Sequence, residues 1–376
     1  MSQSEQIFIG RRTGVGDIFP RRVDWILVGA IVLIGLIGVL AISSAQGTER
    51  TNFAERQLGY LGVGLVLMFV LMRIDYRTLV ELSPWLYAAT LVLLAGMPIF
   101  APSIANTHAW IRLGPFQVQP SEFARVVTIL MVARLFENHD HRTLDFSAIF
   151  RFGVIIAAPM CLVFLEKDLG MAATFTAIGA TTLFLGGLRP RVWISIGILG
   201  ILLGGGLLVF GLKDYQKKRI ETFLDPGADR RGAGYQVLQS KIAVGSGGIV
   251  GKGYRHGTQT GLGFLPARRT DFIFAVIAEE FGFFGVITVL GILAFILLRM
   301  LTIARRARDR SGAFIAAAVS MLLSFHVFVN AGMLVGLVPT TGITLSFLSY
   351  GGSSLLANLI AVGLVLSVEF RRFANA

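Results

Sequence analysis

Repeated apolar segments, each long enough to cross a bilayer, most constrain how this chain can fold. A membrane-spanning helix needs about 20 mostly apolar residues, and within a bilayer the backbone must satisfy its own hydrogen bonds. The sequence is therefore predicted to form an all-α polytopic membrane protein with about ten transmembrane helices. The predicted spans lie near 24–43, 57–72, 84–101, 119–136, 149–165, 169–187, 191–212, 271–299, 312–338 and 351–369.

The composition excludes an ordinary soluble domain. Of the 376 residues, 54% are hydrophobic and 15% are charged, whereas soluble domains carry about 25% charged residues. The net charge of +12 does not indicate a nucleic-acid partner. In a membrane protein, the positive residues must be counted separately on each side of the membrane. The single cysteine, Cys161, lies in an apolar run and gives no disulfide framework.

Arginine placement predicts the orientation of the chain. Arginines precede the first span, follow the last, and recur in alternate connections near 73–83, 137–148 and 300–311. Because positive residues are retained on the cytoplasmic side, both termini are predicted to be cytoplasmic. The predicted divisions are a cytoplasmic tail at 1–22, a single transmembrane domain at 23–372, and a short C-terminal tail at 373–376.

The longest connection, 213–270, is predicted to be a large external loop between helices seven and eight. It is net basic, and long loops cross membranes largely regardless of charge. It is either a solvated loop or a site for an anionic ligand such as phosphate, with Lys241 and Lys252 as contacts. Its glycines at 243–248 and 251–253 resemble phosphate-cradling loops. The spacing is not that of a P-loop, and glycine also eases close helix packing.

Charged residues gather at the predicted external ends of the helices. Ionisable residues at membrane depth are costly, so a single wet cavity explains them together, whereas helix caps explain them one at a time. His326 and Asn330, in the ninth span, are interpreted as hydrogen-bonding between helices. The four external places are 49–57, 110–125, 166–170 and 270–271.

Two of these places contain specific chemical patterns. Glu122 and Arg125 are three residues apart at a predicted helix start and can form an ion pair on one helix face. Asp271 follows two arginines and precedes an apolar helix. It is either an N-cap or a functional carboxylate kept ionised beside cations.

Five long stretches of the chain form recognisable motifs. They are WIRLGPFQVQPSEFAR (110–125), EKDLG (166–170), RIETFLDP (219–226), 234–285 and VPTTGITLSFLSYGGSS (338–354). These stretches resemble the SEDS glycosyltransferases, which polymerise bacterial peptidoglycan, and the resemblance covers most of the chain in order. His256 to Gln259 resembles the elongation branch of that family (RodA) more than the division branch (FtsW).

The resemblance implies a substrate, a location and partners. It implies polymerisation of lipid II into glycan strands, with release of undecaprenyl pyrophosphate, in the bacterial cytoplasmic (inner) membrane for cell elongation and rod shape. A class B penicillin-binding protein is expected to supply transpeptidation, alongside other elongation-complex membrane proteins. No organic cofactor is expected, and a divalent cation, Mg²⁺ or Mn²⁺, is allowed for.

The resemblance also assigns site residues. Asp271 occupies the family's catalytic position, as a general base or alternatively as a metal ligand. The chain departs from the usual family residue at Lys167 (proline), Ala267 (glutamate), Ser346 (proline) and Arg125 (lysine). The residues expected to bind or support the substrate are Glu122, Arg125, Arg56, Asp168, Lys241, Lys252, Thr270 and Arg269.

Two other classes of function are compatible with a polytopic protein. One is a transporter or flippase for a lipid-linked precursor, and the other is a non-catalytic scaffold for a transpeptidase. A carrier needs alternating access to a midplane site, whereas the charged places here are predicted to share one side. The sequence also shows no internal repeat, which favours the enzyme over the transporter.

Overall fold

The computed structural model describes residues 23–47, 52–102, 107–114, 116–137, 145–187, 223, 225 and 232–372. Within them the chain forms eleven helices and one hairpin, and the all-α prediction is confirmed. The elements are α1 (Trp25–Gln46), α2 (Phe53–Arg73), α3 (Tyr76–Phe100), β1 (Ile111–Leu113), β2 (Phe116–Val118), α4 (Pro120–Glu137), α5 (Phe146–Leu165), α6 (Leu169–Leu185), α7 (Ala233–Gly247), α8 (Thr258–Gly261), α9 (Ile273–Arg306), α10 (Arg310–Val335) and α11 (Gly352–Phe370).

Seven of these helices are long and apolar enough to cross a membrane, namely α1, α2, α3, α5, α9, α10 and α11. Helix α6 is a shorter apolar helix, and the 18-residue α4 begins with charged residues. The predicted seventh span, 191–212, lies outside the described residues, as do both predicted tails. The count of ten spans therefore stays a prediction.

Several predicted loops are wholly or partly helical. Helix α3 begins at Tyr76 because the Asp75 side chain accepts a hydrogen bond from the Arg77 N–H at 3.0 Å. Helix α9 continues to Arg306, so most of the predicted loop at 300–311 is also helical. The predicted external loop 213–270 contains α7 and the short α8.

Helices α10 and α11 form the centre of the bundle. Helix α10 packs against α4, α6, α7, α9 and α11, and α11 packs against α2. The most apolar 18-residue stretch is 78% buried in α11 but only 17% buried in α3. The central position of α10 and α11 brings the loop between them, residues 336–351, into contact with several other elements.

Ion pairs join the helix ends at one end of the bundle, called here the Asp309 end. Asp309 accepts hydrogen bonds from Tyr76 Oη at 2.7 Å and from Arg77 Nη2 at 2.7 Å. Arg371 pairs with Asp75 at 3.2 Å, and Arg299 pairs with Asp24 at 2.5 Å. The contacts of Arg77, Arg299 and Arg371 place three arginines of the predicted cytoplasmic set at this one end.

A short antiparallel hairpin precedes α4 and was not predicted. Its register pairs Ile111 with Val118 and Arg112 with Gln117, and Gly114 has a positive φ of 63° at the turn. The hairpin is fixed to α11 because Ser353 Oγ donates to the Gln117 carbonyl at 2.9 Å and accepts from the Gln119 N–H at 3.1 Å.

Helix α9 is interrupted at Gly282, whose φ of 61° and ψ of −157° are not helical. The break frees backbone groups on both sides, and residues 248–253 satisfy them. The Lys252 and Gly253 N–H groups donate to the carbonyls of Glu279 and Glu280 at 3.1 and 2.9 Å. The Phe283 N–H donates back to the Gly248 carbonyl at 2.9 Å. The segment after α7 therefore stabilises the kink.

Candidate functional site

Asp271 lies in a turn two residues before α9, and its residue is half-buried. Its carbonyl accepts a hydrogen bond from Asn330 Nδ2 at 2.9 Å. The preceding carbonyl, that of Thr270, accepts from Ser349 Oγ at 2.6 Å. The turn is thus fixed from two directions, by α10 and by the α10–α11 loop. A carboxylate on such a turn has a defined position.

Neither Thr270 nor Asp271 is the N-cap residue of α9. That position is taken by Phe272, which has no side chain able to cap a helix. Thr270 Oγ1 donates instead to the Ala267 carbonyl, at 3.3 Å. The N-cap interpretation of this junction was therefore wrong about which residue occupies the cap.

Asn330 and His326, one turn apart on α10, join two parts of the site. Asn330 Nδ2 also donates to the Ile343 carbonyl at 2.9 Å. His326 Nδ1 donates to the next carbonyl, that of Thr344, at 3.0 Å, and its Nε2 contacts Arg125 Nη1. The Arg125 contact confirms the predicted bonding between helices for His326, whereas Asn330 bonds the Asp271 turn and the α10–α11 loop.

Glu122 and Arg125 form the predicted ion pair, and the pair is buried. Arg125 Nη2 contacts Glu122 Oε2 within the first turns of α4, and only 1% of the arginine side chain is exposed. His326 and Asn330 link the pair to the Asp271 turn, because they bond the adjacent carbonyls of Thr344 and Ile343, and Asn330 also bonds the Asp271 carbonyl. The place at 110–125 and the place at 270–271 therefore belong to the same site.

Asp168 connects a third predicted place to this site. Its Oδ1 accepts from the Met171 N–H at 3.0 Å and caps α6, and its Oδ2 accepts from Gln119 Nε2 at 2.9 Å. Next to it, Gly170 packs against the α10–α11 loop so closely that a Cβ there would lie 2.3 Å from the Thr341 carbonyl oxygen. The neighbouring Gly342 lies beside the Asp271 carboxylate, since a Cβ there would be 4.0 Å from Oδ2.

The arginines around Asp271 contact other parts of the chain. Arg268 Nε donates to the Ala45 carbonyl at 2.6 Å, and its Nη1 donates to the Thr260 carbonyl at 2.8 Å. The Arg269 guanidinium lies 4.0 Å from the centre of the Phe53 ring. These contacts fix the ends of α1 and α2 against the Asp271 turn. Arg56, also predicted for the site, lies exposed in the first turn of α2.

Lys252 contacts the protein rather than an open surface. Its Nζ donates to Glu279 Oε1 at 2.8 Å and to Thr258 Oγ1 at 2.7 Å. Glu279 is fully buried and also accepts from the Gln259 and Thr260 N–H groups at 2.9 and 3.2 Å. Lys252 is thus paired with a buried carboxylate, and its binding of an anionic ligand stays a prediction.

The glycines that resembled a phosphate cradle serve close packing. A Cβ at Gly247 would lie 1.9 Å from the Ala278 carbonyl oxygen, and one at Gly251 would lie 2.1 Å from that of Glu280. The Gly251 N–H also donates to the Gly247 carbonyl at 2.8 Å. The packing interpretation is confirmed at Gly247 and Gly251, whereas an added Cβ at Gly245 or Gly248 would meet nothing within 4 Å. Lys241 lies exposed on α7, beside Gly336.

Comparison with known families identifies the chain. A family profile described as a cell cycle protein, covering FtsW, RodA and SpoVE, matches residues 21–373. The peptidoglycan glycosyltransferase MrdB of Escherichia coli K12 is 38% identical over 347 residues, which cover 91% of this chain and 92% of that protein. The chain belongs to the SEDS family.

Other SEDS proteins extend the comparison. The probable peptidoglycan glycosyltransferase FtsW of Geobacter sp. M18 is 36% identical over 357 residues, covering 92% of this chain and 96% of that protein. A chain from a peptidoglycan synthase complex that coordinates polymerization and crosslinking superposes with a TM-score of 0.80 at 33% identity, covering 94% and 99% of the two chains. The rod shape determining protein RodA of Thermus thermophilus superposes at 0.70 and 30% identity, covering 93% and 98%.

Two departures from the usual SEDS sequence lie at left-handed backbone positions. Lys167 has a φ of 67°, and Ala267 has a φ of 48°. The proline ring fixes φ near −65°, so the proline that the family usually has cannot adopt the conformation of Lys167. Proline at position 167 would therefore require a different backbone conformation in the α5–α6 turn.

Sequence reasoning missed three residues of this SEDS site. Glu279 and Ser349 were not selected, and Glu166 was included only in the place at 166–170 without a role, although Glu166 and Glu279 are carboxylates within or beside apolar spans. That position alone makes a carboxylate a functional or structural candidate. Ser349 gave no such signal, because its role depends on the fold of the α10–α11 loop.

Proposed function

We propose that this SEDS peptidoglycan glycosyltransferase polymerises lipid II for cell elongation, with Asp271 as the general base. In this reaction a sugar hydroxyl of the acceptor bonds to the anomeric carbon of the donor. The bond from that carbon to undecaprenyl pyrophosphate breaks, and Asp271 takes the hydroxyl proton. The release of a good leaving group reduces the need for a strong acid at the donor.

The observation that carries the proposal is the double support of the Asp271 turn. Asn330 and Ser349 hold two consecutive carbonyls, at 2.9 and 2.6 Å. A general base acts only from a position within hydrogen-bond reach of its proton, and this turn is fixed by α10 and by the α10–α11 loop. The half-buried Asp271 combines a defined position with access to the surface.

The neighbouring charges have supporting roles. Arg125 and Glu122 are buried against His326, so they shape the site from within and do not contact a lipid headgroup in this arrangement. Exposed cations near the same end, Lys241 and Arg56, are the candidates for attracting the pyrophosphate. Asp168 supports the site through Gln119 and the start of α6.

A divalent cation would be held by Asp271 together with the substrate. The described residues contain no group of three or more histidine, cysteine or carboxylate side chains that could hold a metal. Mg²⁺ commonly binds through one or two carboxylates and the phosphates of a substrate, so a single aspartate suits it. When bound, the ion would neutralise charge on the pyrophosphate leaving group.

The partner and the orientation are inferred separately. A relative's structure is that of a peptidoglycan synthase complex, which supports a class B penicillin-binding protein as the transpeptidase partner of this chain. The arginine-rich Asp309 end is cytoplasmic by the positive-inside rule, and the Asp271 end faces outward, where the glycan strand is built.

Polymerisation by the purified chain tests the proposed function. The protein is incubated with lipid II and Mg²⁺ or Mn²⁺, with and without a class B penicillin-binding protein, and glycan length is read on a gel. Glycan strands are expected from this chain. Transport of lipid II across vesicle membranes without any polymer would support a flippase instead. If no polymer forms under conditions where a related SEDS enzyme is active, the result would favour a scaffold.

A further inference from the structure

Glu166 is a buried carboxyl group that the proposed reaction does not use. It follows α5 directly, and its residue is 0% exposed. Neither of its side-chain oxygens has a hydrogen-bond partner among the described residues. Its backbone is well fixed, because its N–H donates to the Leu162 carbonyl at 3.2 Å and its carbonyl accepts from the His108 N–H at 3.1 Å. The side chain is thus buried without a hydrogen-bond partner among the described residues.

The charges near Glu166 do not favour its ionised form. Burying an ionised carboxylate without a partner is very costly, so such a group takes up a proton instead. Burial and the negative charge of Asp168 raise the pKa of Glu166 to about 8. The nearest cation of α4, Arg125, already contacts Glu122. The charged and titratable groups of the surrounding elements are Lys167 and Asp168 in the same turn, His108 before β1, and Glu122 and Arg125 in α4.

The turn that carries Glu166 is connected to Asp271. Asp168, two residues later, caps α6 and accepts from Gln119. Gly170 then packs on the Thr341 carbonyl, and the adjacent Gly342 lies beside the Asp271 carboxylate. A second negative charge in this turn would repel Asp168, whose two bonds cap α6 and join it to Gln119 before α4, two residues before the Gly170 contact with the α10–α11 loop.

We propose that Glu166 is a positioning residue for glycosyl transfer, which as a neutral acid keeps the 166–170 turn seated against the α10–α11 loop and so keeps Asp271 in place. Loss of its proton loosens this contact and lowers the rate. The inference rests on the proposed function for its activity readout. Its stability readout does not need activity, so failure of one proposal can be distinguished from failure of the other.

The direction of the stability effect follows from proton linkage. The folded state keeps the Glu166 proton to about pH 8, while the unfolded chain loses it near 4.5. Between these values the folded state binds more protons, so this carboxyl makes stability fall as the pH rises. Glu166→Gln has nearly the same shape as the neutral acid and cannot ionise. It should remove this part of the pH dependence.

The experiment compares full-length wild type, Glu166→Gln and the control Glu137→Gln, which changes an exposed carboxyl at the end of α4. Melting temperature and lipid II polymerisation are measured from acidic to alkaline pH. Between pH 4.5 and about 8 the melting temperatures of wild type and of Glu137→Gln should fall relative to that of Glu166→Gln. The activity of Glu166→Gln relative to wild type should equal one at neutral pH. One pH unit above the pKa of Glu166, about one wild-type carboxyl in ten keeps its proton. At that pH, Glu166→Gln should therefore be about tenfold more active than wild type.

Two results would overturn the proposal. A melting profile of Glu166→Gln that parallels wild type would show that Glu166 is not the titrating group. A flattened melting profile with an unchanged ratio of activities across the pH range would show that Glu166 titrates but does not position the site. If Glu166→Gln does not fold, Glu166→Met provides the same comparison, because it also removes the ionisable group while filling the apolar space.

Discussion

Buried carboxyl groups distinguish the end of the molecule that carries Asp271, and most of them have partners. Glu122 contacts Arg125, Glu279 pairs with Lys252, and Glu280 contacts Ser44 of α1. The Glu122–Arg125 contact lies within α4, whereas the other two join α9 to the loop after α7 and to the end of α1. Glu166 differs because its carboxyl oxygens have no partner among the described residues. These residues determine which substitutions should affect stability and which should affect chemistry.

Lys252→Ala should destabilise the protein more than Lys241→Ala. Lys252 pairs with the buried Glu279 at 2.8 Å, whereas Lys241 is exposed on α7. A lost hydrogen bond to a buried charge costs about 1.5–3 kcal/mol. The effect here should lie near the lower value, because Lys252 is itself 25% exposed and Glu279 keeps its bonds to Gln259 and Thr260.

Thermal unfolding of both variants in detergent measures this difference. If the two variants melt at the same temperature and only Lys252→Ala binds lipid II more weakly, Lys252 would be a substrate contact. Lys241→Ala serves as the matched control, since it removes the same charge from the same region.

Lys167→Pro should destabilise the protein, although it restores the residue that SEDS proteins usually have. Proline cannot adopt the φ of 67° found at Lys167. Its N–H also donates to the Phe164 carbonyl at 3.0 Å, and proline has no N–H. The expected loss is about 3 kcal/mol, as for proline in a helix interior. A variant that melts at or above the wild-type temperature would show that the turn can adopt the family's usual conformation.

At the scale of elements, helix ends and interruptions are satisfied by neighbouring segments. Residues 248–253 satisfy the backbone groups freed at Gly282, so the kink of α9 and the end of α7 form one unit. At the other end of α9, Asp309 caps α10 and binds two groups of α3. These links between elements explain why the regions predicted as loops are short or helical.

Asp309→Asn tests the link at the Asp309 end through its pH dependence. Burial by itself would raise the pKa of Asp309, but hydrogen bonds from Tyr76, the Gly312 N–H and Arg77 outweigh it and lower the pKa below 3.8. A lowered folded-state pKa gives stability that is present above 3.8 and is lost as the pH falls through the folded value. Asparagine caps a helix about as well as aspartate, so the variant isolates the charge.

The variant should melt below wild type at neutral pH, and the difference should shrink on strong acidification. Melting curves from neutral to acidic pH measure it. A difference that stays constant at the most acidic pH would assign the effect to packing rather than to the carboxylate charge.

At the scale of the whole molecule, apolar periodicity and charge placement were enough to predict the class of fold. The Glu122–Arg125 contact was also predictable, because residues three apart share a helix face. The meeting of Asp271 with α4 was not predictable in detail, since it depends on His326, Asn330 and the α10–α11 loop. The glycine spacing suggested an anion-binding loop for a physical reason. The same lack of a side chain serves an anion cradle and close backbone packing.

Cysteine labelling tests the predicted orientation of the whole chain. The exposed Cys161 is first changed to Ala. In that background His256→Cys, near the Asp271 end, should react with a membrane-impermeant reagent added outside intact cells. Glu137→Cys, at the end of α4, should react only after the membrane is opened. Reaction of Glu137→Cys with the reagent in intact cells would show that the orientation is the reverse of the predicted one.

The central claim is that Asp271 performs chemistry, and Asp271→Asn tests it most directly. Polymerisation of lipid II and melting temperature are measured for this variant and for Asp145→Asn, a control in which the aspartate caps α5 through the Ala148 N–H at 2.9 Å. We expect both variants to melt near wild type, because asparagine retains the shape of aspartate and, at position 145, its capping ability. Asp145→Asn should polymerise normally, and Asp271→Asn should lose roughly 10²–10⁴-fold in rate. Wild-type polymerisation by a normally folded Asp271→Asn would contradict the account.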